Sequence, residues 1–239
     1  MTLNAILPLF STIVSFVFAS MVLDQFLARR KPYQLVWTIG LVFYGASAFT
    51  EFLGGVQGWS PTLYRFWYLI GAFFVAAYLG MGTVYLLTPR RFSHTVMVVL
   101  VLGSILAAYK VFAAPIDTAQ LPMSSEVVSG KAMPQDVRIL TPIFNIFGAG
   151  ALVIGALYSA WVFWRRRILP HRVISNVLIA LGSFIPSITS GLSRFGITEV
   201  FFLGELLGVV IIFLGFLVSV EVFEQFRVPF TRTVLWSRR

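Results

Sequence analysis

The sequence predicts an all-α membrane protein, a polytopic bundle of seven transmembrane helices, and two observations support this prediction. Of the 239 residues, 58% are hydrophobic and only 11% are charged, against about 45–50% and about 25% in soluble domains. A soluble fold of this length exposes too much surface to hide so many apolar side chains. The chain also contains seven apolar stretches of the roughly 20 residues that a helix needs to cross a bilayer. Soluble globular, disordered and fibrous proteins are therefore excluded.

Seven spans follow from these stretches, and short connections join most of them. The predicted ranges are 4–27, 33–57, 62–87, 92–114, 139–164, 173–191 and 199–223. One connection is long: segment 115–138 is polar and rich in Pro, Ser, Asp, Gln and Gly, which is typical of an ordered or mobile loop without a core of its own. We therefore predict a transmembrane domain over residues 1–226 and a short basic cytoplasmic tail over residues 227–239.

The positions of the cations predict the orientation of the bundle. Clusters of Arg and Lys follow the first, third, fifth and seventh spans: 29–31, 90–91, 165–167 with Arg172, and Arg227, Arg232, Arg238 and Arg239. By the positive-inside rule the N-terminus lies outside and the C-terminus inside, and the protein is expected in a bacterial cytoplasmic membrane. The net charge of +9 then reflects this orientation and contact with anionic lipids. A nucleic-acid partner is not expected, because no solvated basic face is present.

A second pattern suggests an internal duplication. Pro8 and Pro142 open the first and fifth spans, and Pro32 and Pro170 precede the second and sixth, an offset of about 134–138 residues. This spacing favours three helices, a linker helix and three more helices in parallel orientation. The alternative is that Pro is simply common at helix starts and that the positive-inside rule alone spaces the Arg clusters.

The 3+1+3 layout is shared by microbial rhodopsins and by SWEET-type sugar carriers. A rhodopsin needs a Schiff-base lysine in its seventh span, and residues 200–223 contain no Lys, so covalent retinal is excluded. A SWEET-like carrier fits the layout, but its Pro-Gln pairs are missing, because Leu9 and Ile143 follow Pro8 and Pro142.

Polar residues in the outer half of the spans are the candidate ligand-binding site. Ionisable groups at membrane depth cost several kcal/mol on insertion scales, so each needs a physical reason. By helical rise, Glu51 and Glu205 lie roughly 10 Å outward of the span midpoints, and Arg65, with Arg194, is placed to partner them. The predicted site comprises Glu51, Arg65, Asn145, Ser187, Thr189 and Glu205. Either these residues form a polar pocket for a small ligand, a cation or protons, or they form a structural layer that joins the helices.

Several chemistries are excluded by the residues present. The chain has no Cys and two His, both at or beyond the ends of apolar runs, so no metal or haem site is expected in the membrane. No catalytic or phosphate-binding motif is present, so neither enzymatic activity nor a cofactor is expected. The only acid-base candidates are Glu51 and Glu205, with Tyr44, Tyr64 and Tyr68 as accessory groups. Five tryptophans near span ends are expected at the membrane interfaces: Trp37, Trp59, Trp67, Trp161 and Trp164.

The region from Trp37 to Arg91 resembles the seven-helix sensor region that precedes some bacterial histidine kinases. The shared pattern is Trp37, Tyr44, Glu51, the loop Gln57-Gly58-Trp59, and Arg65-x-Trp67-Tyr68-x-x-Gly71. The resemblance implies stimulus detection by the bundle. Because only a short tail follows the last span, any signal is expected to reach a separate partner on the basic cytoplasmic face.

These observations together predict a non-catalytic membrane binding module. It would act as a stand-alone sensor or as an accessory subunit of a larger membrane complex, and its expected partners are lipids, other subunits or a cytoplasmic signalling protein, and a small-molecule ligand. The alternative is a small-solute or proton-coupled transporter of SWEET-like layout, in which Glu51 and Glu205 would carry the coupling.

Overall fold

Within the residues that it describes, the computed structural model contains seven helices that are long and apolar enough to cross a membrane. It describes residues 3–122, 126–167, 169–195, 197–198, 200–219, 225–227 and 234–237. The helices are α1 (Leu3–Arg29), α2 (Pro32–Gln57), α3 (Pro61–Leu87), α4 (Arg90–Ala113), α5 (Thr141–Arg165), α6 (Pro170–Arg194) and α7 (Phe201–Ser219). The predicted seven-helix membrane architecture is therefore confirmed.

Proline and glycine set several of the helix boundaries. Pro32, Pro61 and Pro170 stand at the first position of α2, α3 and α6, where a missing N–H costs nothing. Ser60 caps α3, since its hydroxyl accepts a hydrogen bond from the Leu63 N–H at 3.2 Å. Gly58 ends α2 with a φ of 83°, a conformation that favours glycine. The turn between α2 and α3 is therefore fixed by local sequence.

Six of the helices form a closed ring. Each of the neighbouring pairs α1–α2, α2–α3, α3–α5, α5–α6, α6–α7 and α7–α1 is in contact, whereas α4 lies outside the ring and packs mainly on α3. The α3–α5 contact is a crossing of two backbones at Gly80 and Gly148. A Cβ atom on Gly148 would lie only 2.2 Å from the Ala76 carbonyl group, so only glycine allows this approach.

The described residues of loop 115–138 pack against α3 and α4 at one end of the bundle, which we call the loop end; the other end, with Arg29, Arg90 and Arg165, is the basic end. Side chains from the second half of this loop are buried against α3 and α4: Val128, Ala132, Met133 and Val137. The Tyr64 hydroxyl on α3 donates to the Ser129 carbonyl at 2.7 Å. The loop thus has no core of its own, as predicted, and its buried side chains join the core between α3 and α4.

Beyond α7 the backbone forms two short antiparallel strands, β1 (Gln225–Arg227) and β2 (Val234–Ser237). Gln225 pairs with Ser237, and Phe226 pairs with Trp236. The predicted basic tail 227–239 and the predicted end of the seventh span, 220–223, fall largely outside the described residues. All of the spanning elements that are described are helical.

Candidate functional site

Two acidic side chains meet inside the bundle near the loop end. Glu51 on α2 is only 2% exposed, and its carboxyl group lies close to the Glu205 carboxyl group on α7. Two carboxyl groups at close range repel each other when both are ionised. The two acids that sequence reasoning placed in one layer thus lie next to each other.

Neutral donors surround this carboxyl pair. The Trp67 indole N–H on α3 donates to Glu51 Oε1 at 2.7 Å, and the Tyr44 hydroxyl on α2 donates to the Glu205 main-chain carbonyl at 2.7 Å. Lys110 forms a salt bridge with Asp136 at the loop end. Among the side chains that the structure describes, no cation forms a salt bridge with Glu51 or Glu205.

Three buried polar atoms on α1 and α2 have no hydrogen-bond partner: Glu51 Oε2, Ser11 Oγ and, about one and a half turns further from the loop end, Ser15 Oγ. Serine and threonine inside a helix usually bond back to the carbonyl four residues earlier, as Thr12 does to the Pro8 carbonyl at 2.8 Å. Ser11 and Ser15 make no such bond, although both are fully buried. Since buried polar atoms are nearly always paired in folded proteins, these three atoms indicate a place for a further polar partner.

The face of α1 that carries the two serines is directed toward the interior of the ring. Ser11, Ser15 and Phe18 lie on one helical face by their spacing, and Phe18 packs against Phe213 and Phe216 of α7. The antiparallel contacts of α1 with α2 set the depth of this face. Positions 5 and 16 of α1 approach positions 55 and 45 of α2, so Ser11 lies within about one turn of the level of Glu51.

An irregular stretch of α3 adjoins the carboxyl pair. Residues Tyr68–Phe74, which follow Trp67 directly, form a π-helical segment. Its wide turns leave a carbonyl to be satisfied from outside, and the Asn145 amide on α5 donates to the Ala72 carbonyl at 3.0 Å. Gly71 in the same segment allows Ser47 of α2 to approach closely. Such π-helical insertions are frequent at functional sites.

The predicted α6 residues lie differently from one another. Thr189 is buried and packs against Gly204, the residue before Glu205, so it lies at the α6–α7 contact at about the depth of Glu205. Its hydroxyl donates to the Pro186 carbonyl at 3.3 Å. Ser187 is exposed and donates to the Ser183 carbonyl of its own helix at 3.0 Å. Thr189 therefore lies beside α7 near the site, whereas Ser187 lies on an exposed face.

Arg65 does not partner the carboxyl pair, which corrects the sequence-based expectation. Its guanidinium donates to the Val111 carbonyl and, at 2.9 Å, to the Phe112 carbonyl, in the last turn of α4. The final carbonyls of a helix lack intrahelical donors and carry the negative end of the helix dipole, so they attract a cation. The side chain of Arg194, the other expected partner, lies outside the described residues.

Sequence reasoning also missed Trp67 as a site residue. It was expected at a membrane interface, but it is only 7% exposed. A usable signal was the symmetry of the α2–α3 hairpin: Glu51 lies seven residues before Gly58, and Trp67 lies seven residues after Ser60. Residues equally far from a hairpin turn lie at the same depth, and a buried indole N–H needs an acceptor. Ser11 and Ser15 had no comparable signal, because serine is common in membrane helices.

No protein-family model, no curated protein and no solved structure matches this chain.

Proposed function

We propose that this chain is a non-catalytic membrane-embedded binding module whose ligand site is the pocket around Glu51 and Glu205. The ligand is a monovalent cation or an ammonium group, which balances negative charge on the two carboxyl groups. The observation that supports this most directly is the set of unpartnered oxygens at Glu51, Ser11 and Ser15. Carboxyl and hydroxyl oxygens are suitable ligands for a small hard cation, and their low total charge suits a single positive charge.

The structural alternative, a polar layer that only joins the helices, fits the same contacts less well. A layer with a purely structural role gains most when every polar atom in it is paired, since a half-satisfied network is worse than an apolar core. Glu51 Oε2, Ser11 Oγ and Ser15 Oγ are each buried without a partner. These unpaired atoms favour a ligand-binding pocket over a polar layer that only holds the helices together.

A cation titration of the protein in lipid nanodiscs tests the proposal. We expect Na⁺ or methylammonium to raise the unfolding temperature saturably at constant ionic strength, with choline as the bulky reference cation. Glu51→Gln and Glu205→Gln keep the size of the side chain but remove its ability to ionise, so both should abolish the saturable response. Asp136→Asn on the loop is the matched control and should retain it. A response that persists unchanged in both glutamine variants would contradict the proposal.

We further propose that the module acts as a sensor or as an accessory subunit in a bacterial cytoplasmic membrane, with its N-terminus outside. The cation clusters at the basic end support this orientation. Because the chain has no Cys, single cysteines can be introduced without background labelling. An impermeant maleimide added to intact cells should label Lys131→Cys on the loop and should label Arg166→Cys only after the membrane is opened. The reverse pattern would overturn the orientation.

The second candidate function is a proton- or cation-coupled carrier. The closed six-helix ring with α4 outside supports it, because this is the packing that a 3+1+3 duplication would produce. Against it, Phe18, Phe213 and Phe216 pack together on the basic-end side of the carboxyl pair, where a carrier needs a path. Proteoliposomes that show cation flux sensitive to Glu51→Gln and Glu205→Gln would decide for the carrier.

A further inference from the structure

A mainly apolar cavity lies inside the ring, away from the carboxyl pair. The space inside it that a water-sized molecule can occupy is about 70 Å³, several times the roughly 10–15 Å³ that a single buried water needs on the same measure. All six ring helices line it; one residue from each is Phe18, Trp37, Thr83, Leu152, Asn176 and Phe216. Neither Glu51 nor Glu205 contributes to its wall. The cavity is therefore separate from the proposed site around Glu51 and Glu205, which we call the loop-end pocket.

One polar group in this wall is left without a partner for an identifiable reason. The Thr83 hydroxyl is buried and makes no hydrogen bond, whereas the usual acceptor for a helical threonine is the carbonyl four residues earlier. For Thr83 this carbonyl belongs to Leu79, and the Trp37 indole N–H already donates to it at 3.1 Å. The Thr83 methyl group packs against Gly155 of α5, which fixes the side chain. Its hydroxyl is thus held in the wall of an apolar chamber with a proton to donate.

The cavity also reaches the outside of the bundle near the basic end. Leu86, in the last turn of α3, lines the cavity and is 44% exposed. Across the α3–α5 seam, Gly155 and Ser159 line the same wall. Small residues on one side of a seam leave room for a molecule to enter from the surrounding lipid.

We propose that this central cavity binds a lipid-like molecule, a hydrocarbon chain with one hydrogen-bond acceptor such as an ester or ketone, and that Thr83 donates to that acceptor. The apolar wall matches the chain, because burial of hydrocarbon against aliphatic and aromatic side chains is favourable. The buried Thr83 hydroxyl, which has no partner in the protein, matches the acceptor. The membrane that surrounds the protein supplies molecules of this class. This inference does not depend on the proposed site at Glu51 and Glu205, because the two sites share no residue.

Photolabelling in lipid nanodiscs tests the proposal with a defined probe, a diazirine-bearing methyl palmitate. Peptide mapping of the wild-type protein should show saturable labels on cavity residues such as Leu79 and Leu152, and excess unlabelled ester should compete for them. Lipid-facing residues of α4 such as Val99 should be labelled without saturation. Labels confined to lipid-facing residues would overturn the proposal.

Two variants separate the hydroxyl from the chamber. Thr83→Val keeps the side-chain shape and removes the donor, so cavity labelling should fall about five-fold, as expected for one hydrogen bond. Thr38→Val is the matched control, because its hydroxyl is already bonded to the Gln34 carbonyl, and it should label like the wild type. Ala156→Phe fills the chamber and should abolish the cavity labels while leaving those on α4.

A second probe distinguishes the acceptor from the chain. A diazirine-bearing alkane without an ester should label wild type and Thr83→Val equally if Thr83 acts only through its hydroxyl. Equal labelling of both proteins by the ester would overturn the role assigned to Thr83. If Ala156→Phe does not fold, the Thr83→Val comparison still decides the question, since that change is nearly isosteric.

Discussion

The loop-end pocket and the central cavity solve the problem of polarity inside a membrane in opposite ways. At the loop end, Trp67 donates to the Glu51 carboxyl group and Tyr44 donates to the Glu205 main-chain carbonyl, so polar groups of α2, α3 and α7 are partly paired with one another. In the central cavity the wall is mainly apolar, and the buried Thr83 hydroxyl has no partner because Trp37 donates to the carbonyl that it would otherwise use. In both places an indole N–H occupies one acceptor, Glu51 Oε1 or the Leu79 carbonyl, and a neighbouring buried oxygen remains without a partner.

The comparison also shows where each region gets its rigidity. The loop-end pocket depends on directional bonds across helices, and the π-helical segment of α3 is held by one such bond from Asn145. The central cavity depends on the ring itself, which brings six helices around one space. We therefore expect substitutions to affect the two regions differently, except where they break the ring.

The largest effect is expected from Gly148→Leu, which should disrupt both regions together. A side chain here collides with the backbone of α3 at Ala76, and backbone cannot move aside as a flexible side chain can. We expect a loss of about 3 kcal/mol or more in the free energy of unfolding. Gly150→Leu on the same helix is the control, because a Cβ atom there meets nothing within 4 Å. Similar unfolding temperatures for the two variants would show that the α3–α5 crossing does not hold the ring.

A smaller effect, confined to the loop-end pocket, is expected from Trp67→Phe. Phenylalanine fills much of the same space but leaves Glu51 without its donor, and an unsatisfied buried polar group costs about 1–3 kcal/mol. Trp161→Phe, at a position that is 47% exposed, should change stability little. A double-mutant cycle with Glu51→Gln measures the coupling between Trp67 and Glu51 directly. A coupling of zero would mean that the bond between them does not stabilise the site.

Most of the architecture could be predicted because apolar length is read directly from the sequence. Seven stretches long enough for a bilayer gave seven helices, and prolines such as Pro32 and Pro170 placed their starts within a few residues. Loop 115–138 was harder, because its polar composition hides the few side chains, among them Val137, that pack against α3 and α4.

The candidate site was only partly predictable, for a physical reason. Acids are rare at membrane depth, so Glu51 and Glu205 could be recognised from the sequence. The direction of each side chain depends on how its helix is rotated about its axis. A helix that is apolar on all sides has no polar face from which this rotation could be predicted. Arg65 was misplaced because its acceptors, the last carbonyls of α4, come from a helix outside the ring. The central cavity had no signal at all, since a void is a property of packing and not of any one residue.

A still smaller difference should separate paired from unpaired hydroxyls. Ser15→Ala removes a hydroxyl that has no partner, so the free energy of unfolding should stay the same or rise slightly when no ligand is added. Ser104→Ala removes a hydroxyl that donates to the Leu100 carbonyl at 2.8 Å and should cost about 0.5–1.5 kcal/mol. Thermal unfolding of both variants in the same nanodiscs checks this. A larger loss for Ser15→Ala would indicate that its hydroxyl has a partner and would weaken the binding proposal.

The smallest effect is expected from Lys110→Ala, which removes the salt bridge between α4 and the loop. The two side chains are 40% and 60% exposed, and exposed ion pairs contribute little because water and salt screen them. The loop is held instead by buried side chains, so Val137→Ala should lower the unfolding temperature clearly more than Lys110→Ala does. Lys131→Ala, on the same loop, is the control for loss of a surface charge. If Lys110→Ala is as damaging as Val137→Ala, and high salt lowers the unfolding temperature of the wild type to that of Lys110→Ala, the loop is held to α4 mainly by charge.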